Sequence, residues 1–470
     1  MADERFEEHL RHPRGRGIAG AAPGAHAASA GSVACGDLVR LAVAVDGDRV
    51  TSARFEAAGC GATIAAASAA VELAEGASLL DVARIDAAAV AAALGGLTPG
   101  KLHAADLAAD ALARALGGAA TAGAALAPRA DRVLVAMSGG VDSAVAALIA
   151  GRDAQAIAVT LELWRDEHND AERSCCSASA VLAARSLAHG LGLPHLTLDL
   201  RDAFRAGVVE PWVADHARGL TPNPCVRCNG AVRIDGMLEL AARLGAARLA
   251  TGHYARISAD GLLRAAADPA KDQSYVLAAL SPEKIARLRF PLGELTKPEV
   301  RAIAARAGLA VADKPDSQDL CFLAGTGREA FLARHGGPRE RPGAIVDERG
   351  RRIGRHRGAH AYTVGQRRGL GIGGTDEPRY VRATDVSTNT VAVAPREALV
   401  ADTVRLTDLR LHRPADEVEL VQLRYRARPL PCVLRGELLE LREPAWAVAP
   451  GQVAVLRSGD RVVGCATIAR

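Results

Sequence analysis

The stretch Val133-Leu-Val-Ala-Met-Ser-Gly-Gly-Val-Asp-Ser143 sets the fold class of this chain. Residues 133–137 are a short apolar run, which predicts a buried strand. The run passes directly into Ser138, Gly139, Gly140, Val141, Asp142 and Ser143, and residues 144–150 predict a helix. A strand, a Gly-rich turn and a helix gather backbone N–H groups at the positive end of a helix dipole. That arrangement is an anion site. The glycines let the backbone approach an oxyanion closely, and the Ser138 and Ser143 hydroxyls add hydrogen bonds. Asp142 is out of place beside an anion unless a metal ion or an amine is also present. A kinase-type phosphate loop would need a Lys before the Ser, and this stretch has none.

Working outward, residues 156–163 predict a second strand, 179–190 a helix, 195–200 a third strand and 248–254 a fourth that ends at Gly252-His253. Alternating strands and helices predict an α/β doubly wound parallel sheet with ligands at the C-terminal strand ends. The loop itself resembles that of the ATP pyrophosphatase superfamily, Ser-Gly-Gly-x-Asp-Ser. The resemblance implies cleavage of ATP between its α- and β-phosphates to adenylate a substrate oxygen. It implies nucleotide contacts from Ala136, Met137 and the loop residues 138–143, from Leu161 at the exit of the second strand, and from Gly252.

At 470 residues the chain needs two to four domains. It has 24% charged and 49% apolar residues and no run of eighteen apolar residues, so no membrane span is expected. Its acidic start lacks the apolar core of a signal peptide, and a cytoplasmic location is expected. Nine cysteines then read as thiols, metal ligands or catalytic groups rather than a disulfide framework. A net charge of +4 permits an RNA partner without arguing for one.

Residues 1–118 read as a separate α+β module. Residues 38–45 and 50–55 alternate across Asp46-Gly-Asp, a hairpin pattern, and 62–73 and 102–116 read as helices. Ala34-Cys-Gly-Asp37 and Gly59-Cys-Gly61 set thiols and a carboxylate on tight loops, as a metal site requires, and His103 in Lys101-Leu-His-Ala-Ala-Asp106 can supply another ligand. With His12-Pro-Arg14, these pieces resemble the iron–sulfur scaffold family of the IscU/NifU type. That family carries a third cysteine after the His, where this chain has Ala104. Cys35, Asp37, Cys60 and His103 remain as four ligands able to hold zinc or a two-iron cluster. Three roles are open for the module: cluster carrier, zinc site, or docking platform for a cysteine desulfurase. Residues 119–130, small and Gly/Pro-containing, read as a flexible linker.

The catalytic part is expected over residues 131–337. Gly219-Leu-Thr-Pro-Asn-Pro-Cys-Val-Arg-Cys-Asn229 reads as an extended loop stiffened by two prolines. Cys225 and Cys228 form a Cys-x-x-Cys, a spacing of redox, zinc or iron–sulfur chemistry. Lys271-Asp-Gln-Ser-Tyr275 and Asp313-Lys-Pro-Asp-Ser-Gln-Asp-Leu-Cys-Phe322 follow. With Ala-Thr-Gly-His-Tyr254 and the segment Tyr362-Thr-Val-Gly-Gln-Arg-Arg-Gly-Leu-Gly371, these motifs over residues 131–470 resemble the tRNA-uridine 2-sulfurtransferase family. The resemblance implies thiolation of C2 of the wobble uridine in tRNAs for Lys, Glu and Gln, with ATP and Mg²⁺ as cofactors. It implies Cys228 in the nucleophile position and Cys321 as the persulfide carrier, the two able to form a disulfide. It also implies RNA contacts from Asn223, Pro224, Lys271, Asp272 and Gln273.

The chemistry is coherent: adenylation makes a poor leaving oxygen into AMP, a persulfide attacks C2, and a second Cys releases the sulfur. Many members of that family have Asp where this chain has Cys225. Cys225, Cys228 and Cys321 would suit a four-iron, four-sulfur cluster with an open iron, and a neutral substitution is the alternative. The sulfur source is then either a desulfurase or relay donor feeding a persulfide, or a cluster-bound sulfide. Cys175-Cys176 read as packing residues at a helix start, and Cys432 and Cys465 as core.

Residues 338–398 suggest a small β-rich domain with a hairpin at 345–353. Residues 399–470 suggest an antiparallel barrel, with strands at 404–411, 418–425, 432–441, 453–457 and 462–468. Arg424-Tyr-Arg426 offers charge and an aromatic face to RNA. Two other readings compete: a different ATP pyrophosphatase synthetase, which would need a glutamine-hydrolysing motif the chain lacks, and a non-catalytic iron–sulfur carrier.

Overall fold

The computed structural model describes residues 4–31, 36–166, 178–316, 320–323, 325–373 and 377–470. The N-terminal module opens with α1 (Glu4–Arg11), followed by an antiparallel sheet of β1 (His26–Gly31), β2 (Leu38–Asp46) and β3 (Arg49–Ala58). Val39, Leu41 and Val43 on β2, with Val50, Ala53 and Phe55 on β3, turn one face of the sheet inward. That face is covered by α2 (Gly61–Ala74) and, after α3 (Leu79–Val82) and α4 (Ala87–Ala93), by the long α5 (Leu102–Gly123). The α2 interior is almost all Ala, and such small side chains let the helices pack closely.

The second sheet is parallel throughout. Its order is Leu288–Arg289, β7 (Ala246–Ala250), β4 (Arg129–Met137), β5 (Gln155–Glu162) and β6 (His195–Asp199). The helices α6 (Val141–Ala150) and α7 (Ala178–Gly190) follow β4 and β5. The chain leaves β4 toward β5 and β6 on one side, and β7 is added on the other. The topological switch point therefore lies between β4 and β7, where such sheets bind ligands.

The expected linker is not a tether. Helix α5 continues to Gly123 and β4 begins at Arg129, so only 124–128 is irregular. The small residues read as flexible are instead packed: Ala119, Ala120 and Ala124 are buried. A Cβ on Gly117 would lie 1.8 Å from the Thr197 carbonyl oxygen of β6, and one on Gly123 would lie 1.9 Å from that of Val45. Glycine was selected here for close approach, not for freedom. The His195 amide donates to Ala83 O at 2.8 Å, and Asp110 pairs with Arg185 at 2.7 Å and with Arg114 at 2.9 Å. Arg114 also pairs with Glu162. The two modules share one hydrophobic core.

Gly343–Val346, Arg352–His356, Tyr380–Asp385 and Thr390–Ala394 form a four-stranded sheet that contains the expected hairpin. The C-terminal part is a six-stranded barrel, closed because Val400–Leu411 pairs with both Leu438–Trp446 and Arg461–Ile468. Two expected strands are corrected. Residues 432–441 are a hairpin, broken by Gly436 at φ 58°, and 418–425 shrinks to Leu420–Gln422. Cys432 and Cys465 are buried as expected, and Cys175-Cys176 lie outside the described residues. Among the described residues no helix is long and apolar enough to cross a membrane.

Candidate active site and metal centre

The loop after β4 is held by its own serines. Ser143 Oγ accepts from the Ser138 amide at 3.1 Å and from the Ser138 hydroxyl at 3.2 Å, and donates to Gly140 O at 3.0 Å. Gly139 has φ 68°, a conformation that favours glycine. Gly252 brings the exit of β7 against the loop, where a Cβ would lie 2.9 Å from the Ser143 amide nitrogen. A cavity of about 200 Å³ opens between these two strand ends. Ala136, Met137, Ser138, Asp142, Ser143, Leu161 and Gly252 all line it, so the structure brings together seven of the residues expected at the nucleotide. Gly139, Gly140 and Val141 complete the loop beneath them.

Thr160, Met237, Arg233, His253 and Gln273 also line the cavity. Gln273 was expected at RNA; its Oε1 accepts the Tyr254 amide at 3.0 Å, so it also fixes the β7 exit. His253 Nδ1 sits 2.8 Å from Thr251 Oγ1. Burial, and then the Arg233 guanidinium, pull its imidazole down to about 3, so the ring is neutral at physiological pH.

The cation missing from the loop sequence arrives from elsewhere. Lys297 Nζ lies 2.7 and 2.8 Å from the two Asp142 carboxylate oxygens and 2.8 Å from Asp316 Oδ1. Tyr254 OH donates to Asp142 Oδ1 at 2.8 Å, and burial and then the Asp142 charge keep that phenol protonated. Lys271 holds Asp316 Oδ2 at 2.8 Å, and Lys314 donates to Gly139 O at 2.9 Å. Burial opposes ionisation of Asp316, yet hydrogen bonds from Lys271 and Lys297 hold it below the usual carboxylate range. Sequence reasoning assigned no role to Lys297, Lys314, Asp316, Tyr254, Arg233 or His253, although Lys314, Asp316, His253 and Tyr254 stand inside motifs that carry the family resemblance. Lys297 carried only a helix-start pattern, Thr296-Lys-Pro-Glu299, which places it at the first helical position.

The cysteines come on different elements. The loop expected to be extended over 219–229 is helical from Pro224: Pro224–Cys228 is a helix, capped by Asn223, whose side chain accepts the Cys225 amide at 3.1 Å. An Asn cap with Pro in the first turn is a helix start, and this outweighed the stiffening expected of the prolines. Asn223 and buried Pro224 thus set the pitch on which Cys225 and Cys228 fall one turn apart. Cys228 is buried in the main core, and Cys225 and Cys321 pack against that core. Cys321 precedes Phe322, which is anchored among Phe204, Trp212 and Phe331 at ring separations of 5.9, 5.2 and 5.1 Å.

Asp272 and Arg424, also expected at RNA, have internal duties too. Asp272 accepts from the Ala266 and Ser274 amides and the Ser274 hydroxyl. Arg424 donates to Val364 O and Ala447 O, bracing the barrel against the central domain. Tyr425 is 37% exposed and carries Arg426 over its ring at 5.4 Å. Between the catalytic domain and the barrel lies a cleft of about 650 Å³, lined by Asn223, Arg218, Arg227, Arg410 and Arg470 among others.

In the N-terminal module, Asp37, Cys60 and His103 bring their ligand atoms within 4.8 Å of one another. Among the described residues this is the one such group. Asp37 Oδ2 lies 3.0 Å from His103 Nε2 and 3.8 Å from Cys60 Sγ. Thr63 donates to the same oxygen at 2.9 Å. Cys60 sits at the N-terminus of α2. Burial alone would raise its thiol, but hydrogen bonds from the Thr63 hydroxyl and the Thr63 and Ala62 amides outweigh burial and pull it below the usual range. A low thiol, a carboxylate and an imidazole fit zinc or an iron–sulfur cluster. Cys35, the fourth expected ligand, lies outside the described residues. Ala104 is fully buried in α5, beside His103.

Family models match along the whole chain: a NifU-like N terminal domain at 2–119, a tRNA methyl transferase HUP domain at 131–325, a tRNA methyl transferase PRC-barrel domain at 329–395 and an aminomethyltransferase beta-barrel domain at 401–468. The "Bifunctional protein NifU/MnmA" of Rubrobacter xylanophilus is 44% identical over 485 aligned residues, covering 99% of this chain and 98% of that one. The "tRNA-specific 2-thiouridylase MnmA" of Thermobifida fusca is 46% identical, covering 68% of this chain and 90% of that one. The protein of the same description from Salinispora tropica is also 46% identical, covering 68% and 93%. With its scaffold-like domain, its parallel sheet and its barrel matched end to end, this chain belongs to the bifunctional NifU/MnmA family.

Proposed function

We propose that this chain uses ATP to adenylate the C2 oxygen of the wobble uridine (position 34) of tRNA and replaces that oxygen with sulfur, giving 2-thiouridine, AMP and pyrophosphate. One observation carries the reading: the serine-rich loop and the β7 exit close on a cavity at the switch point of the sheet, lined by the residues expected at the nucleotide. Loop amides and the Lys297 and Lys314 ammoniums suit the triphosphate, and Leu161, Leu163 and Met237 suit the adenine. Asp142 is the carboxylate of the cavity lining; a Mg²⁺ ion carried in with ATP would rest there in place of Lys297 Nζ, which would free that ammonium for the triphosphate, and would take charge off the leaving pyrophosphate.

The uridine oxygen attacks the α-phosphorus and pyrophosphate leaves. The terminal sulfur of a Cys321 persulfide then attacks C2, and AMP leaves. The Cys228 thiolate attacks Cys321 Sγ, breaking the S–S bond, so the sulfur stays on C2 and a Cys228–Cys321 disulfide forms. An external dithiol reductant resets the pair, and a cysteine desulfurase or relay protein recharges Cys321. Cluster-bound sulfide on Cys225, Cys228 and Cys321 is the competing source, and anaerobic iron and sulfide analysis separates the two. The N-terminal site holds zinc or a nascent cluster on Asp37, Cys60 and His103, with Cys35. The tRNAs are those for Lys, Glu and Gln, and the reaction belongs in the cytoplasm. The arginine-lined cleft takes the RNA backbone, and Lys271 and Tyr425 are further RNA contacts.

The test uses the purified full chain, ATP and a tRNA transcript. AMP release should depend on tRNA and disappear when uridine 34 is replaced by cytidine. AMP release indifferent to that base would defeat the reading.

A further inference from the structure

We propose that the scaffold-like module and the catalytic sheet together build a second tRNA-binding surface, an arginine-lined groove along their seam that takes the sugar–phosphate backbone. The proposal rests on the functional reading above and extends its tRNA contact to the N-terminal module.

The groove, of about 540 Å³, lies where β1 and β2 meet the exits of β5 and β6. His26 and Arg40 enter it from the module's sheet and Arg114 from α5, while Glu162, Arg165 and Arg201 enter from the catalytic side. Neither module makes it alone. Its two carboxylates are held by its own arginines: Glu162 by Arg114, and Asp199 by Arg201, whose Nε lies 2.9 and 3.0 Å from the two carboxylate oxygens. The charges of Arg40 and Arg165 are left over, so the groove is positive. Alternation along β2 buries Val39 and Leu41 and turns Arg40 outward, and Arg165 is exposed as well.

The groove adjoins the active edge of the sheet. Leu161 and Leu163 line the nucleotide cavity, whereas Glu162 and Arg165 line the groove, because successive residues of an extended chain point to opposite sides. A neighbouring recess of about 530 Å³ shares Arg165, Asp199 and Arg201 with the groove and adds Arg205. Residues 201–217 form one helical stretch, roughly 25 Å long at 1.5 Å per residue. Asp215 near its far end and Arg218 just beyond it line the cleft beside the barrel. A band of guanidinium groups therefore runs from Arg40 past Arg201 and Arg205 to Arg218, along the edge at which the uridine must be presented. A small anion satisfies one point of such a band. A nucleic-acid backbone, charged at every nucleotide, follows all of it, and the planar guanidinium fork matches its phosphate oxygens.

The experiment is fluorescence anisotropy of a labelled full-length tRNA transcript, titrated with the full chain at several salt concentrations. Arg40→Ala and Arg165→Ala, one on each module, should each weaken binding roughly three- to tenfold near physiological salt and lower the slope of log Kd against log salt by about one. Arg40→Lys keeps the charge and should restore most of the affinity. Both alanine variants should bind α,β-methylene-ATP as the unaltered chain does, measured by equilibrium dialysis. A double variant that binds the nucleotide and also binds tRNA with unchanged affinity and slope overturns the proposal. A double variant that keeps tRNA and instead loses binding to a purified cysteine desulfurase overturns it too, because the groove then belongs to a protein partner. AMP release that depends on uridine 34 can hold under either result, so the functional reading stands or falls separately.

Discussion

At the scale of single residues, the site is built from groups whose neighbours decide their charge. His253 is held neutral by burial and by Arg233. Its folded value of about 3 lies below the ordinary 6.5, so between these limits the unfolded chain binds a proton that the folded pocket refuses. Stability is therefore complete above pH 6.5 and falls as pH drops through that window. His253→Asn cannot take up that proton, and its melting temperature should fall less between pH 7 and pH 5 than that of the unaltered protein. An equal fall in both would remove His253 from the acid response. Gly59 matters by its lack of a side chain: a Cβ there would lie 2.0 Å from Asp37 Oδ1. Gly59→Ala should weaken zinc binding about 10- to 100-fold by displacing a ligand, measured by competitive titration with a chromophoric chelator. Unchanged affinity would separate Asp37 from the metal.

At the scale of elements, much of the site was legible because its residues are adjacent in the chain. The strand–loop–helix at 133–150 carries its own pattern, and Gly252 and Leu161 follow from where parallel strands end. The scaffold-like ligands were legible from tight Gly-flanked loops. Lys297 was not, because a lysine donates across space and nothing local marks its target; Asp316 stood in a quoted motif but had no role until the fold brought Lys297 to it. The prolines at 222 and 224 were read as stiffeners, while the Asn223 cap between them makes the second a helix start. Helix α5 was cut short because its last turns are Gly and Ala, poor in side-chain signal, although these residues form its contact with β6. Gly117→Val should drive a side chain into the Thr197 backbone and cost about 1–3 kcal/mol of stability, read from the urea midpoint. A neutral result would mean that the seam between the modules is loose.

At the scale of the whole molecule, the fused module is a fixed part of the enzyme, packed on the edge strand of the catalytic sheet through α5. The barrel closes the other side: Tyr275 OH donates to Val453 O at 2.7 Å, and buried Arg457 donates to Ser274 Oγ and Gln422 Oε1 at 2.8 Å each. The barrel thus braces the segment that follows Lys271 and Gln273. The central claim is that this assembly thiolates tRNA through Cys228 and Cys321. Its most direct test is nucleoside mass spectrometry of tRNA from cells whose own wobble 2-thiouridylase is deleted and which express this chain. The account predicts that wobble 2-thiouridine returns with the unaltered chain and is lost with Cys228→Ser or Cys321→Ser. No 2-thiouridine from the unaltered chain, or full levels from both variants, would contradict it.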